Sequence, residues 1–259
     1  KGDDRTEKYE GAYVGEPQRG FQDNVISFDA NSLYPSVMVT LNLSPETKVG
    51  SIVGTDKDKV YIKTVNNKDI EMTVAEFTRW CNKNEICVTR AKKLFSQKTK
   101  GIFPRITDHF YDIRKGKKAE WTEQREKLHK LETKLKQYTS QEEKKYLEEQ
   151  IKKTQFKIDQ LWIWQFTLKI LINRIYGYFG NKISQMGDGD IARSITLTGR
   201  DVIKQSNVIL RNYIKKKTGL TDKDLERRDP IVYNDTDSSY CTISQLLEHM
   251  DIPLHTNNV

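Results

Sequence analysis

Cysteine and histidine are scarce in this chain, three and four of 259 residues. Cys81, Cys87 and Cys241 form no CxxC pair and have no histidine pair beside them. That spacing suggests neither a disulfide framework nor a zinc site, and a reducing compartment is the simplest reading. Long apolar runs are missing too. The longest, LWIWQFTLKILI from Leu161 to Ile172, carries Lys169 and falls short of the roughly 20 residues that cross a bilayer. The N-terminus, KGDDRTEKYE, is polar throughout, so no secretory leader is read there. It also lacks an initiator methionine, which suggests a processed or excised piece. Acidic charge is in the minority. Lys and Arg number 44 against 36 Asp and Glu, leaving a formal charge of +8 and a pI near 9.1. Such an excess favours a polyanionic partner, nucleic acid or nucleotide, without establishing one. The length suits one large or two modest domains with a sizeable core.

Three textures follow one another along the chain. Residues 1–100 mix short apolar runs (NVISFDA, KVYIKTV, NEICVTR) with Gly, Asn and Asp punctuation, the pattern of strands with short helices between them in an α/β or α+β region. Residues 101–180 are charged and helical. Leu128, Leu131 and Leu135, then Leu147, Ile151, Ile158 and Leu161, fit one buried stripe on each of two helices. Between them SQEE, Ser140–Glu143, carries the Ser-x-x-Glu spacing of a capping box, so an antiparallel helical hairpin is expected, with most of its charges on a solvated face. Residues 181–259 hold a helix-like segment from about Ile191 to Lys217 and then a strand-turn-strand around YNDTDSSY. The last residues, HTNNV, end without a closing element.

Chemistry-bearing residues gather in three places. In YNDTDSSY, Asp235 and Asp237 sit one residue apart on a turn. Asp and Ser make turns by bonding their own backbone, so a DxD pair is often no more than that, yet carboxylate oxygens are also the ligands Mg²⁺ prefers. In VISFDANSLYPS, a buried-strand pattern ends at Asp29, where open sheets place ligand-binding residues and where a helix cap is the plain alternative. Residues Asn31 to Tyr34 can turn backbone N–H groups toward an anion before Pro35 interrupts the pattern. In KILINRIYGYFGN, Lys169, Asn173 and Tyr176 are four and three apart and share one helical face. A cation, an amide and an aromatic ring in line suit a nucleotide. A helix end with Gly177 as its stop accounts for the glycine equally well, but not for Lys and Asn on one face.

DANSLYPS, KILINRIYG and YNDTDS, in that order, resemble the three polymerase motifs of family B replicative DNA polymerases. GAYVGEPQ and NLSPET resemble most closely the T-even-type bacteriophage branch, and the similarity covers nearly the whole chain. The resemblance implies an α+β fold. An antiparallel palm, residues 1–100 and 182–259, would bear the carboxylates, and an inserted helical hairpin, the fingers of residues 101–181, the nucleotide-binding face. It implies two Mg²⁺ ions shared by Asp29 and Asp237, with Asp235 binding more weakly or tuning the field. Tyr34 would lie under the deoxyribose and clash with a 2′-hydroxyl, and the amides of Ser32 and Leu33 would meet the β and γ phosphates. Lys169 would meet the triphosphate, Asn173 and Tyr176 would line the base-pair pocket, and Arg114 and Lys118 of YDIRKGKKAEW would form a second phosphate-binding stretch around Gly116.

The implied partners are dNTPs, primer-template DNA, and a second polypeptide carrying the rest of the palm and the thumb. An exonuclease-bearing N-terminal part, a sliding clamp and a helicase also follow from the family, in the cytoplasm of a bacterial host and with no membrane. Two departures from the family pattern stand out. Asn234 occupies the position of a small Gly before the first turn aspartate, and Arg174 adds a charge within the motif helix. A non-catalytic DNA-binding or assembly subunit and a metal-dependent nuclease are the competing readings; Tyr34 and Lys169 argue against the nuclease.

Overall fold

The computed structural model describes residues 11–137, 140–181, 184, 185 and 187–251. The KGDDRTEKYE and HTNNV segments lie outside them. The fold is α+β with two antiparallel sheets. The smaller sheet joins the two ends of the chain. Strand β1, Val25–Asp29, pairs with β8, Ser238–Thr242, which pairs with β7, Ile231–Asp235. The expectation that Val25–Phe28 is buried is not met, because β1 is an edge strand and Val25 and Phe28 are exposed.

The five strands of the second sheet all come from residues 48–96. They are β2, Lys48–Thr55; β3, Lys59–Thr64; β4, Asp69–Thr73; β5, Ile86–Val88; and β6, Lys93–Ser96, in the order β4-β3-β2-β6-β5. Helix α2, Val74–Asn84, starts where Thr73 and Glu76 exchange side-chain-to-backbone hydrogen bonds, which satisfies two amides that the first helical turn leaves unpaired. Its Phe77 and Trp80 pack on Val60, Ile62 and Leu94 in a local core.

The main core lies elsewhere. Helix α1, Leu33–Thr40, and the long helix α5, Gly189–Thr218, bury Met38, Leu43, Phe95, Ile191 and Ile195 together with Phe179. Pro35 does not interrupt α1. It sits in the first helical turn, where the missing N–H would have had no partner. An ion cluster fastens the start of α5 to the second sheet: Lys48 of β2 lies 3.3 Å from Asp188 and 2.5 Å from Asp190, and Lys93 of β6 lies 2.8 Å from Asp190. Burial alone would raise the Asp190 carboxyl, but hydrogen bonds and charge from both lysines outweigh it and hold the group below the usual carboxylate range.

The hairpin is two unbroken helices, α3, Ile102–Gln137, and α4, Gln141–Gly180. Along α4 the shielded positions 147, 151, 154, 158, 161, 165, 168 and 172 alternate steps of four and three. On α3, positions 114, 117, 121, 124, 128, 131 and 135 do the same. A repeat averaging 3.5 residues keeps one seam facing the partner, as in a coiled coil, and it contains every leucine and isoleucine expected from the sequence. Helix α4 begins after Ser140 as expected, but the Ser140 side chain makes no cap hydrogen bond. Gly177 is not a stop. The helix runs on to Gly180 because Phe179, 1% exposed, is held in the core against the Phe103 ring at 4.6 Å. Two short helices complete the fold, α6, Asp222–Arg227, and α7, Ser244–His249. Among the described residues no helix is long and apolar enough to cross a membrane.

Candidate active site

Pairing of β1 with β8 sets Asp29 opposite Ser238, whose hydroxyl donates to the Asp29 carboxylate at 2.8 Å. One residue on, the amide of Ala30 donates to the carbonyl of Asp237 at 2.8 Å. The register of a single strand pair thus places Asp29 and Asp237 side by side. The turn between β7 and β8 is Thr236–Asp237, with Thr236 at φ +53°. A β-branched residue in the left-handed region is strained and persists only when its surroundings hold it. Here the Thr236 amide donates to the Tyr13 carbonyl at 2.9 Å and its hydroxyl to the Asp235 carboxylate at 3.0 Å. Residues 13–18 run beside β7, bonded at Gly15 and Gln18 as well.

The aspartates open onto a cleft of about 500 Å³ at the junction of small sheet, α1 and hairpin. Asp29, Thr236 and Asp237 line one side, and Asn31, Ser32, Leu33, Tyr34 and Pro35 come from the β1–α1 connection. The hairpin contributes Arg114 and Lys118 from α3 and Lys169, Asn173 and Tyr176 from α4. Of the residues assigned to metal or nucleotide from the sequence, Asp235 alone does not line the cleft. Gly116 leaves α3 intact, so Arg114 and Lys118 keep their common face.

Ser32 caps α1 from the left-handed region at φ +55°. The first-turn amides that follow have no intrahelical acceptor, and no acidic side chain occupies that turn. Together they make a helix start suited to an anion. Three cations, Arg114, Lys118 and Lys169, belong to the same cleft, and the buried Nε of Arg114 has no hydrogen-bond partner within the protein. The Tyr34 and Tyr176 rings lie 4.7 Å apart at 50°.

Burial pushes the Asp237 carboxyl above its ordinary value, and the charge of Asp29 pushes it further. A backbone hydrogen bond and the Lys169 charge oppose the rise without cancelling it, while Asp235 adds a smaller push upward. Two like charges held this close call for a cation. Among the described residues no group of three or more His, Cys, Asp or Glu side chains is placed to hold a metal by itself. Mg²⁺ rarely needs such a cage, since one or two carboxylates, water and substrate phosphates complete its octahedron. The hard oxygen donors of Asp29 and Asp237 fit that ion.

The family model for DNA polymerase family B matches residues 1–142 and 139–252. The chain belongs to DNA polymerase family B.

Among curated relatives, this family B chain is 29% identical over 239 residues to the DNA polymerase delta catalytic subunit of Candida albicans, a match covering 92% of the chain and 18% of that protein. It is 26% identical over 272 residues to DNA polymerase 120R of Invertebrate iridescent virus 3, covering 92% and 21%. To DNA polymerase 1 of Pyrococcus abyssi (strain GE5 / Orsay) it is 26% identical over 238 residues, covering 92% and 22%. The chain spans about a fifth of the length of these relatives.

Two residues beside the cleft carry no signal in the sequence. Tyr111 of α3 donates no motif, yet the Asn31 amide donates to its hydroxyl at 3.1 Å, tying the β1–α1 connection to the hairpin. Gly199 of α5 underlies Tyr34. The two departures separate clearly: Arg174 is exposed and does not line the cleft, whereas Asn234 is buried and bonded to Asn207 of α5 and Ser239 of β8.

Proposed function

We propose that this chain is the palm-and-fingers part of a template-directed DNA polymerase that joins a deoxynucleotide to a primer 3′-hydroxyl. The observation that carries the reading is the single cleft. Two aspartates and three cations converge there from stretches far apart in sequence, around a helix start and a pair of tyrosines.

Asp29 and Asp237 would hold two Mg²⁺ ions, with Asp235 outside the cleft acting on the field or binding more weakly. When bound, Mg²⁺ lowers the pKa of the attacking hydroxyl and offsets charge on the departing pyrophosphate. The residues of the chain position the reactants. The amides of Ser32 and Leu33, with Arg114, Lys118 and Lys169, orient the triphosphate so that the primer oxygen bonds to the α-phosphorus in line with the α–β bridging bond that breaks. The hydroxyl proton leaves to solvent and pyrophosphate departs. Tyr34 lies under the sugar and excludes a 2′-hydroxyl sterically, and Asn173 and Tyr176 border the new base pair.

The rest of the palm, the thumb, an exonuclease-bearing N-terminal part and contacts to a clamp belong to the remaining four-fifths of such a polymerase. GAYVGEPQ and NLSPET favour a T-even-type phage origin and a bacterial cytoplasm. Without the thumb, grip on duplex phosphates is weak and salt-sensitive.

Extension of a labelled primer-template by this chain with Mg²⁺ and dNTPs at low salt, alone and with a thumb-bearing partner chain, is the test. Synthesis that vanishes in Asp237→Ala supports the reading. Equal inactivity of wild type and variant in both settings overturns it in favour of a non-catalytic subunit.

A further inference from the structure

Gly199 sits a third of the way along α5 with Tyr34 directly against it. A β-carbon placed on Gly199 would lie 2.8 Å from Tyr34 Cε1 and 3.3 Å from its Cδ1, and 3.4 Å from Leu33 Cδ2. Real β-carbons essentially never approach another heavy atom closer than 3.0 Å, so any other residue at 199 requires the ring to shift by a few tenths of an ångström. Gly199 itself does not line the cleft, whereas Tyr34 does, so the ring is the layer between α5 and the cleft. Away from α5 the ring meets Tyr176 of α4 at 4.7 Å. Leu33, beside it, is 7% exposed, packed in the core and unable to yield much.

Glycine is a poor choice for an exposed or ordinary helix interior, where it costs about 1 kcal/mol against alanine, and α5 is otherwise an unbroken helix across this point. Its φ is helical, so no left-handed conformation requires it. What remains is space. The missing side chain lets the aromatic ring settle back against the helix.

We propose that Gly199 is a positioning residue that sets how deeply the Tyr34 ring protrudes into the nucleotide cleft, and so sets the room left for the sugar of the incoming nucleotide. This rests on the reading of Tyr34 as the residue beneath the sugar. Alanine at 199 drives the ring away from α5, toward the cleft and Tyr176, and narrows the sugar site. The effect passes through the ring alone. Where position 34 is shortened to alanine, the collision has no second party and Gly199→Ala loses its consequence. A side chain acting only on helix packing would behave alike in both backgrounds.

The experiment is a titration of the 259-residue chain with dATP and with ATP in the presence of Mg²⁺, followed by nucleotide-dependent fluorescence or calorimetry. It uses wild type, Gly199→Ala, Tyr34→Ala and the double variant, with the thermal midpoint of each recorded. The expected result is that Gly199→Ala weakens dATP about tenfold, the scale of a sub-ångström misplacement, and has no effect on dATP in the Tyr34→Ala background. Should Gly199→Ala fail to fold while the double variant folds and binds, the collision with Tyr34 is demonstrated all the same.

The inference is overturned if Gly199→Ala binds dATP like wild type, if its loss persists undiminished without the Tyr34 ring, or if neither it nor the double variant folds. Failure of the underlying reading looks different. In that case Tyr34→Ala, with Gly199 intact, leaves the ratio of dATP to ATP affinity unchanged, or wild type binds neither nucleotide.

Discussion

Asn207 of α5 and Asn234 of β7 exchange two hydrogen bonds through buried side chains, at 2.9 and 3.3 Å, and Ser239 of β8 closes the group with bonds of 2.8 Å to Asn234 and 3.0 Å to Asn207. The hairpin that presents Asp235 and Asp237 is therefore keyed to the long helix by polar contacts that allow one register only. Each pair of the group is bonded, so removing one member leaves the other two joined and takes a bond from each. Asn207→Leu is expected to cost about 2–4 kcal/mol, because the buried Asn234 oxygen and Ser239 hydroxyl each lose a partner, and to lower the thermal midpoint by roughly 5–10 °C. Asn234→Gly takes a bond from the Asn207 amide and from Ser239 in the same way, so its midpoint should fall by a comparable amount. Calorimetry on the two variants measures both losses. A midpoint equal to wild type in either one contradicts the account.

The raised Asp237 carboxyl gives stability a pH dependence of definite sign. The folded chain holds this proton more tightly than the unfolded chain does. The contribution of this group is therefore greatest below the ordinary carboxylate range and is lost as pH rises from there through the elevated value. In Asp237→Asn this part of the slope disappears and the metal-free chain becomes more stable at pH 7, while nucleotide-dependent synthesis is lost. Added Mg²⁺ should raise the midpoint of wild type and leave the variant unmoved. Denaturation curves at pH 4 and pH 7, with and without Mg²⁺, measure all three effects.

Asp190 behaves in the opposite sense. Its depressed carboxyl contributes stability that is present above the ordinary carboxylate range and lost as pH falls through the lowered value. Asp190→Asn leaves Lys48 and Lys93, each 19% exposed, short of their shared counter-charge. A penalty of about 3 kcal/mol is expected, with a weaker acid limb in the stability profile. An unchanged acid limb in the variant would show that the cluster is not its source.

The charge of Lys169 opposes the rise of Asp237. Lys169→Ala should weaken nucleotide binding about 10- to 100-fold, the range for losing one charged hydrogen bond. It should also move the pH midpoint of the Mg²⁺-dependent signal upward. Lys169→Arg keeps the charge and should restore the midpoint more fully than the affinity, because a planar guanidinium does not reproduce the reach of an ammonium. Nucleotide titrations across pH separate the two effects.

What the sequence determined by itself is whatever nearest neighbours along the chain encode. The spacing of Lys169, Asn173 and Tyr176 put three groups on one face, and all three line the cleft. The leucine and isoleucine repeats marked the seam of the hairpin, and YNDTDSSY marked a strand-turn-strand. Local chemistry also misled, at Ser140, whose hydroxyl makes no cap, at Pro35, which falls in the first turn where its missing N–H costs nothing, and at Gly177, carried inside α4 because core contacts at Phe179 outweigh a weak local preference.

The tertiary structure decided what depends on surfaces meeting. Asp29 and Ser238 are 209 positions apart and are joined only because β1 finds β8, a pairing that periodicity does not specify. The division of the first hundred residues between two sheets follows from which strands bury Val60, Ile62 and Leu94 together. The raised Asp237 carboxyl, the strained Thr236, and the close approach of Gly199 to Tyr34 are all consequences of that assembly. Each depends on distance in space and on burial, quantities that no single stretch of the chain contains.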